Sequence, residues 1–178
     1  MYEIIEAIWL ILPAYAANGL APFVKFLPNR HAIDSGYKLG KMPLFGQTKT
    51  WEGFLLGVFF ACLVSFIQYL AKPFLPFHLA PQPLLIVEMT PLLGLVIGAG
   101  AMCGDLFGSF IKRRIGIKSG SPLPLLDQLD FLAGSLFLSS FFVSIKLEWI
   151  VWLAILTTLL HYTASFIGFK LGIKNQPW

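Results

Sequence analysis

Residues 104–130 read GDLFGSFIKRRIGIKSGSPLPLLDQLD. One carboxylate, Asp105, is followed by the basic run Lys112, Arg113, Arg114 and Lys118, and then by two more carboxylates, Asp127 and Asp130. The flanks are apolar, IVEMTPLLGLVIGAGAMC before the stretch and FLAGSLFLSSFFVSI after it. Charge near a bilayer is costly, so ionisable side chains crowded between two apolar segments mark function rather than decoration. Carboxylates beside cations suit a divalent metal carrying a polyphosphate. A nucleotide acting on a lipid is the simplest ligand of that kind.

Composition fixes the class. Hydrophobic residues make up 57% of the 178 and charged residues 12%, with a mean hydropathy of +0.75, far from a soluble domain of this length. An all-α, polytopic membrane protein follows, a single domain over residues 1–178. The net charge of +4 therefore serves membrane orientation and anionic ligands, and not nucleic acid. Cys62 and Cys103 lie in apolar stretches without ligand-like spacing, which argues against a disulfide framework or a zinc site. The first segment opens with Glu3 and Glu6 instead of a basic region, so no signal peptide is expected.

A helix needs roughly 20 residues to cross the hydrocarbon core. Five transmembrane helices are expected, over about 4–24, 53–71, 84–107, 129–145 and 149–169, with Glu88 interrupting the third near its start and the fourth short. Alternating crossings place loops 25–52 and 108–127 and the tail from Lys170 on one side. Every Lys and Arg but Lys72 and Lys146 then falls on that side, which the positive-inside rule makes cytoplasmic. The N-terminus is expected outside, the C-terminus inside, and both functional loops in the cytoplasm, where nucleotides are.

The first loop reads KFLPNRHAIDSGYKLGKMPLFGQTKTWE over 25–52. Its glycines, with Lys38, Lys41 and Lys49, combine close backbone approach with mobile positive charge. GQTKT is not a Walker A motif, because Thr48 stands where the second glycine belongs. A solvated positive-inside loop explains the lysines equally well. It does not explain the glycine spacing, or Trp51, which is expected to be buried. In the second loop Asp127 and Asp130, three apart, share a helix face and could hold a metal, with Asp105 opposite. The cations would meet phosphate oxygens, and Ser119 to Pro122 offer a turn with exposed amides. A stop-transfer flank or headgroup patch is the competing explanation of the basic run, but it gives no reason for three carboxylates.

Ser109, Ile111, Lys112, Arg113 and Lys118, then Asp127, Leu129 and Asp130, resemble the signature of the cytidylyltransferases that make CDP-diacylglycerol. Gln128 replaces an arginine of that pattern, Ser119 an aspartate, and the intervening turn is shorter, without His-Gly-Gly. The small size, Ile33-Asp34-x-Gly36, Lys49-Thr50-Trp51-x-Gly53 and the Pro13 to Asn18 segment are similar to the archaeal branch, the CDP-archaeol synthases. The resemblance implies transfer of CMP from CTP to an isoprenoid glycerol-phosphate lipid at the bilayer, with Mg2+ as cofactor and pyrophosphate as product. Asp105, Asp127 and Asp130 are expected to bind metal, with Lys112, Asp127 and Asp130 catalytic. Lys38, Lys49, Lys112, Arg113 and Lys118 are expected at the nucleotide and lipid phosphates. Thr50, Asp34 and Asn18 are lesser candidates, for loop organisation or cytidine contact, with Thr50 counted among the nucleotide-binding residues.

Two rivals fit less well. A CDP-alcohol phosphotransferase needs a glycine after its first aspartate and aspartates four apart, whereas Leu106 follows Asp105 and Asp127 and Asp130 are three apart. A transporter needs polar residues along its spans. His161 and Glu88 form no such stripe, and a transporter leaves the clustered loop charges without a task.

Overall fold

Threonine begins two of the long helices. Thr50 accepts a hydrogen bond from the Gly53 amide at 3.2 Å and starts helix α2, Trp51–Ala71. Thr90 accepts from Leu93 at 3.2 Å, with Pro91 at the first helical position, and starts α3, Pro91–Arg114. Helix α1 spans Glu3–Leu20 and runs on into a 3-10 turn, Ala21–Phe26; α4 spans Leu126–Ser139 and α5 Leu147–Lys170. A two-stranded antiparallel hairpin, β1 (Lys38–Leu39) and β2 (Met42–Pro43), projects from the first loop. This computed structural model describes residues 2–170 except 78, 79 and 82. The expected tail, with Lys174 and the C-terminus, lies outside the described residues.

Helix α3 is the centre of the bundle and packs against α4, α2 and α1, while α5 lies along α1 and α4. Lipid tails are as apolar as leucine, so helices in a bilayer gain little from burying large side chains and associate where small residues allow close packing. The α3–α4 contact follows that rule. A Cβ on Gly100, Gly104 or Gly134 would run into the backbone of the opposite helix. Between α2 and α3, Gly98 lies on Ala61 and Val58, and Gly94 on Ser65.

Among the described residues three segments are long and apolar enough to cross a membrane: Glu3–Phe26, Trp51–Phe74 and Pro91–Arg114. The apolar part of α5, Leu147–Thr163, is shorter. Helix α4, at 14 residues, is about 21 Å long, less than a hydrocarbon core. The expected boundaries shift accordingly. Residues 84–90 are non-helical and not the start of the third helix, which runs instead through Lys112, Arg113 and Arg114. The fourth helix starts and ends earlier than 129–145, so the second loop shrinks to residues 115–125.

The non-helical segment 83–90 would expose unpaired amides and carbonyls to lipid unless the bundle met them. Buried Glu6 accepts hydrogen bonds from the Leu85 amide (2.6 Å), Lys146 Nζ (2.6 Å) and Trp149 Nε1 (3.0 Å). Trp9 Nε1 donates to the Val87 carbonyl at 2.9 Å, and Gln68 Nε2 to the Trp9 carbonyl at 2.7 Å. The turn around Lys146 is thus tied to α1.

Candidate active site

The ionic side chains gather at the end of α3 where the first loop arrives. Residues 31–34 run antiparallel to 49–52: Ile33 donates to the Lys49 carbonyl at 2.9 Å, Trp51 to the His31 carbonyl at 3.0 Å, and Ala32 bridges Thr50. This short ladder aims Lys49 across at α3. Its Nζ lies 2.6 Å from both carboxylate oxygens of Asp105.

Seven residues further along α3, Lys112 Nζ lies 2.8 and 2.9 Å from the two oxygens of Asp127 on α4. The separation is two helical turns, about 10 Å. Asp127 also accepts from the Leu123 amide at 2.9 Å, which closes the turn ahead of α4 after Leu125, whose φ is +67°. Asp130 lies one turn on. Its carboxylate packs against Gly108, where any Cβ would collide with it, and it lies within the electrostatic reach of Asp105, Asp127 and Lys49. Asp105, Lys49, Lys112, Asp127 and Asp130 are therefore brought together. Among the described residues no three Asp, Glu, His or Cys side chains are clustered as a ready metal shell. Each of Asp105 and Asp127 instead faces a lysine.

The other expected residues divide. Arg113 is 2% exposed, and its Nε and Nη1 have no hydrogen-bond partner; buried guanidinium donors are costly unless an anion meets them. Arg114, grouped with the phosphate-binding cations from sequence, donates to the Leu39 and Pro43 carbonyls at 3.2 and 2.5 Å and pins the hairpin to α3. Lys38, on β1, and Lys118 are exposed and line neither cavity described below. The Thr50 hydroxyl caps α2 and also borders the first cavity. Trp51, expected to be buried, is 51% exposed, because the ladder turns its side chain outward at the start of α2.

Asp34 is buried. It accepts from Gly36 (3.1 Å) through one oxygen and from Phe45 (3.0 Å) and Gly46 (2.8 Å) through the other. Burial works against the charged form, but these amides outweigh it and hold the carboxyl below its ordinary range. Gly46, with φ +100°, packs against Ser119 of the second loop, and Thr48 Oγ1 lies 3.4 Å from Ser119 Oγ.

A cavity of about 410 Å³ opens beside Lys49 and Asp105, with Asn18, Arg30, Thr48 and Phe54 in its wall. Arg30 and Thr48 were not singled out from sequence. Arg30 carries no motif of its own in a loop of several lysines, and Thr48 stands out in the sequence only as the residue that breaks the Walker pattern. A second, apolar cavity of about 630 Å³ runs between α3 and α4 and borders Asp130.

A bundle of apolar helices carrying a compact ionic site at one end defines a membrane protein with a place for charged ligands. Across residues 1–178 the chain matches the family model described as CarS-like, CDP-archaeol synthase. It is 38% identical to the CDP-archaeol synthase of Pyrobaculum islandicum over 170 residues, covering 95% of each chain. It is also 38% identical to that of Thermococcus gammatolerans over 173 residues, covering 97% of this chain and 95% of the relative. A solved structure described as an intramembrane enzyme for archaeal membrane lipids biosynthesis matches with a TM-score of 0.75 and 34% identity, over 90% of this chain and 93% of the other. The chain belongs to the CDP-archaeol synthase family.

Proposed function

We propose that this chain transfers CMP from CTP to 2,3-bis-O-geranylgeranyl-glycerol 1-phosphate, giving CDP-archaeol and pyrophosphate in membrane-lipid synthesis. The observation that carries the reading is the pair of ion pairs, Lys49–Asp105 and Lys112–Asp127, set two turns apart on α3 with Asp130 between. Two anions must meet for this reaction. A lipid phosphate oxygen attacks the α-phosphorus of CTP, the bond from that phosphorus to the β-phosphate's bridging oxygen breaks, and pyrophosphate leaves. The attacking oxygen is already anionic near neutral pH, so the site has to position and screen charge more than to remove a proton.

In this reading Lys49 holds the nucleotide's phosphates, and the cavity beside it, of a size usual for small ligands, takes the nucleoside. Lys112 and buried Arg113 hold the lipid phosphate, whose chains meet apolar helix faces. Lys38 and Lys118, being exposed, add positive potential around the entrance. Thr50 acts by capping α2, and Asn18 contacts the nucleoside. Mg2+ fits this donor set. It prefers oxygen ligands and is usually held by one or two carboxylates together with substrate phosphates, not by an all-protein cage, which suits the absence of a ready shell among the described residues. One or two of Asp105, Asp127 and Asp130 would hold it together with the substrate phosphates, whose charge it would offset.

We also infer five crossings, with α4 as a short one, the N-terminus outside and the site facing the cytoplasm. The distribution of Lys and Arg supports this orientation. Incubating purified protein with each of the four labelled nucleoside triphosphates, Mg2+ and a lipid phosphate tests the function. A CDP-lipid formed from CTP alone is expected, with the ether lipid preferred over its ester counterpart. Pyrophosphate release without nucleotidyl-lipid would overturn the reading.

A further inference from the structure

Asp34 lies outside the ring of charges, yet it is the buried carboxylate on which the first loop is folded. Its bond to Gly36 closes a tight turn two residues on. Its other oxygen gathers the Phe45 and Gly46 amides from the far side of the hairpin. Those two amides lie just ahead of Lys49, whose own amide donates back to the Gly46 carbonyl at 3.1 Å. Gly46 in turn seats against Ser119 so closely that a Cβ would lie 2.5 Å from the serine oxygen. A continuous chain of contacts therefore runs from Asp34 through Gly46 to Lys49 on one side and to the second loop on the other.

We propose that Asp34 is a positioning residue for catalysis: by holding the amides of residues 45 and 46 it fixes the aim of Lys49 at the nucleotide's phosphates and joins the two loops around the site. The alternative role, direct contact with cytidine, does not fit, since both carboxylate oxygens are occupied by backbone amides and the side chain is buried. No charged partner is needed, because backbone amides alone satisfy it.

The effect on turnover rests on the proposed function, whereas the loop geometry does not, so the experiment reads both. In full-length protein carrying Cys62→Ser and Cys103→Ser, the pair Thr48→Cys and Ser119→Cys is placed where the native hydroxyl oxygens lie 3.4 Å apart. Asp34→Ala is expected to slow oxidative cross-linking of this pair about tenfold or more. Asp34→Asn, which keeps one acceptor oxygen, should fall between. In the native-cysteine protein, Asp34→Ala should raise KM for CTP about tenfold while KM for the lipid phosphate stays within about twofold. The conservative Asp34→Asn should recover part of the loss. Cross-linking at the wild-type rate in both variants would overturn the proposal, as would an equal rise of both KM values. If no nucleotidyl-lipid forms even with native Asp34, the functional reading fails, and the cross-linking rates still decide the role of Asp34.

Discussion

At the scale of single residues, the paired charges set the strongest expectations. Asp127→Asn and Asp130→Asn should each lower turnover at least about a hundredfold with folding in detergent retained, the scale on which electrostatic and metal-binding groups contribute. Steady-state rates with CTP and lipid phosphate check this, and near-normal activity would remove the residue from the site. Lys49→Met and Lys112→Met should be similarly severe, while Lys38→Met and Lys118→Met, at exposed positions, should be mild. Equal, small effects at all four would reduce the basic residues to orienting the protein. Asp34 gives a pH dependence. Its folded-state carboxyl titrates below the ordinary value of 3.8, so as pH falls the unfolded loop takes up a proton first. The stabilisation is complete above about pH 4 and is lost as pH drops through the lowered native value. Pepsin cleavage within residues 35–47 should therefore rise steeply in strong acid for the native protein, whereas Asp34→Asn should be cleaved already at about pH 4. Residue types at the site were legible in the sequence because charge in an apolar chain stands out. Pairings were not, since nothing in the order of residues tells that Lys49 meets Asp105, that Arg114 serves backbone carbonyls, or that a threonine in GQTKT meets Ser119.

Among the elements, α3 and α4 depend on each other through missing side chains. Gly108→Ala would place a methyl group on the Asp130 carboxylate and should abolish most turnover with little change in helix content, read by circular dichroism beside the activity assay. Gly104→Ala meets backbone rather than a side chain, so it should lower bundle stability by about 1–3 kcal/mol, seen as a reduced melting temperature in detergent. At the other end Glu6→Ala would leave the Trp149 indole and the Leu85 amide without their acceptor. A loss of about 3 kcal/mol is expected, with KM for CTP unchanged because the clasp and the site are at opposite ends of the bundle. Helix existence was readable from hydropathy throughout. The boundaries moved where hydropathy and backbone chemistry disagree: residues 84–87 are apolar, but Thr90 and Pro91 start the helix later. The basic run continues α3 because it brings no glycine or proline before Gly116.

For the molecule as a whole, the arrangement in the membrane is tested by cysteines near Lys41 and Ser119. Both should react with impermeant thiol reagents from the cytoplasmic face only, and labelling of either from outside would overturn the orientation. Membrane class was evident from composition, since few charges and long apolar runs leave no soluble alternative. Packing order was not, because small-residue contacts such as Gly100 with Gly134 depend on which helices become neighbours. The non-helical segment before α3 adds a restriction on chain length. Glu6 holds Leu85, and the Thr90 cap fixes the first turn five residues later, so the rotational phase of α3 is set from its N-terminal end. One residue inserted between Thr90 and Asp105 would turn everything beyond it by about 100°, swinging Asp105 and Lys112 away from Lys49 and Asp127 together. Insertions and deletions should therefore be excluded from residue 83 to the basic run, which makes this stretch a fixed-length gauge between the Glu6 clasp and the ionic site.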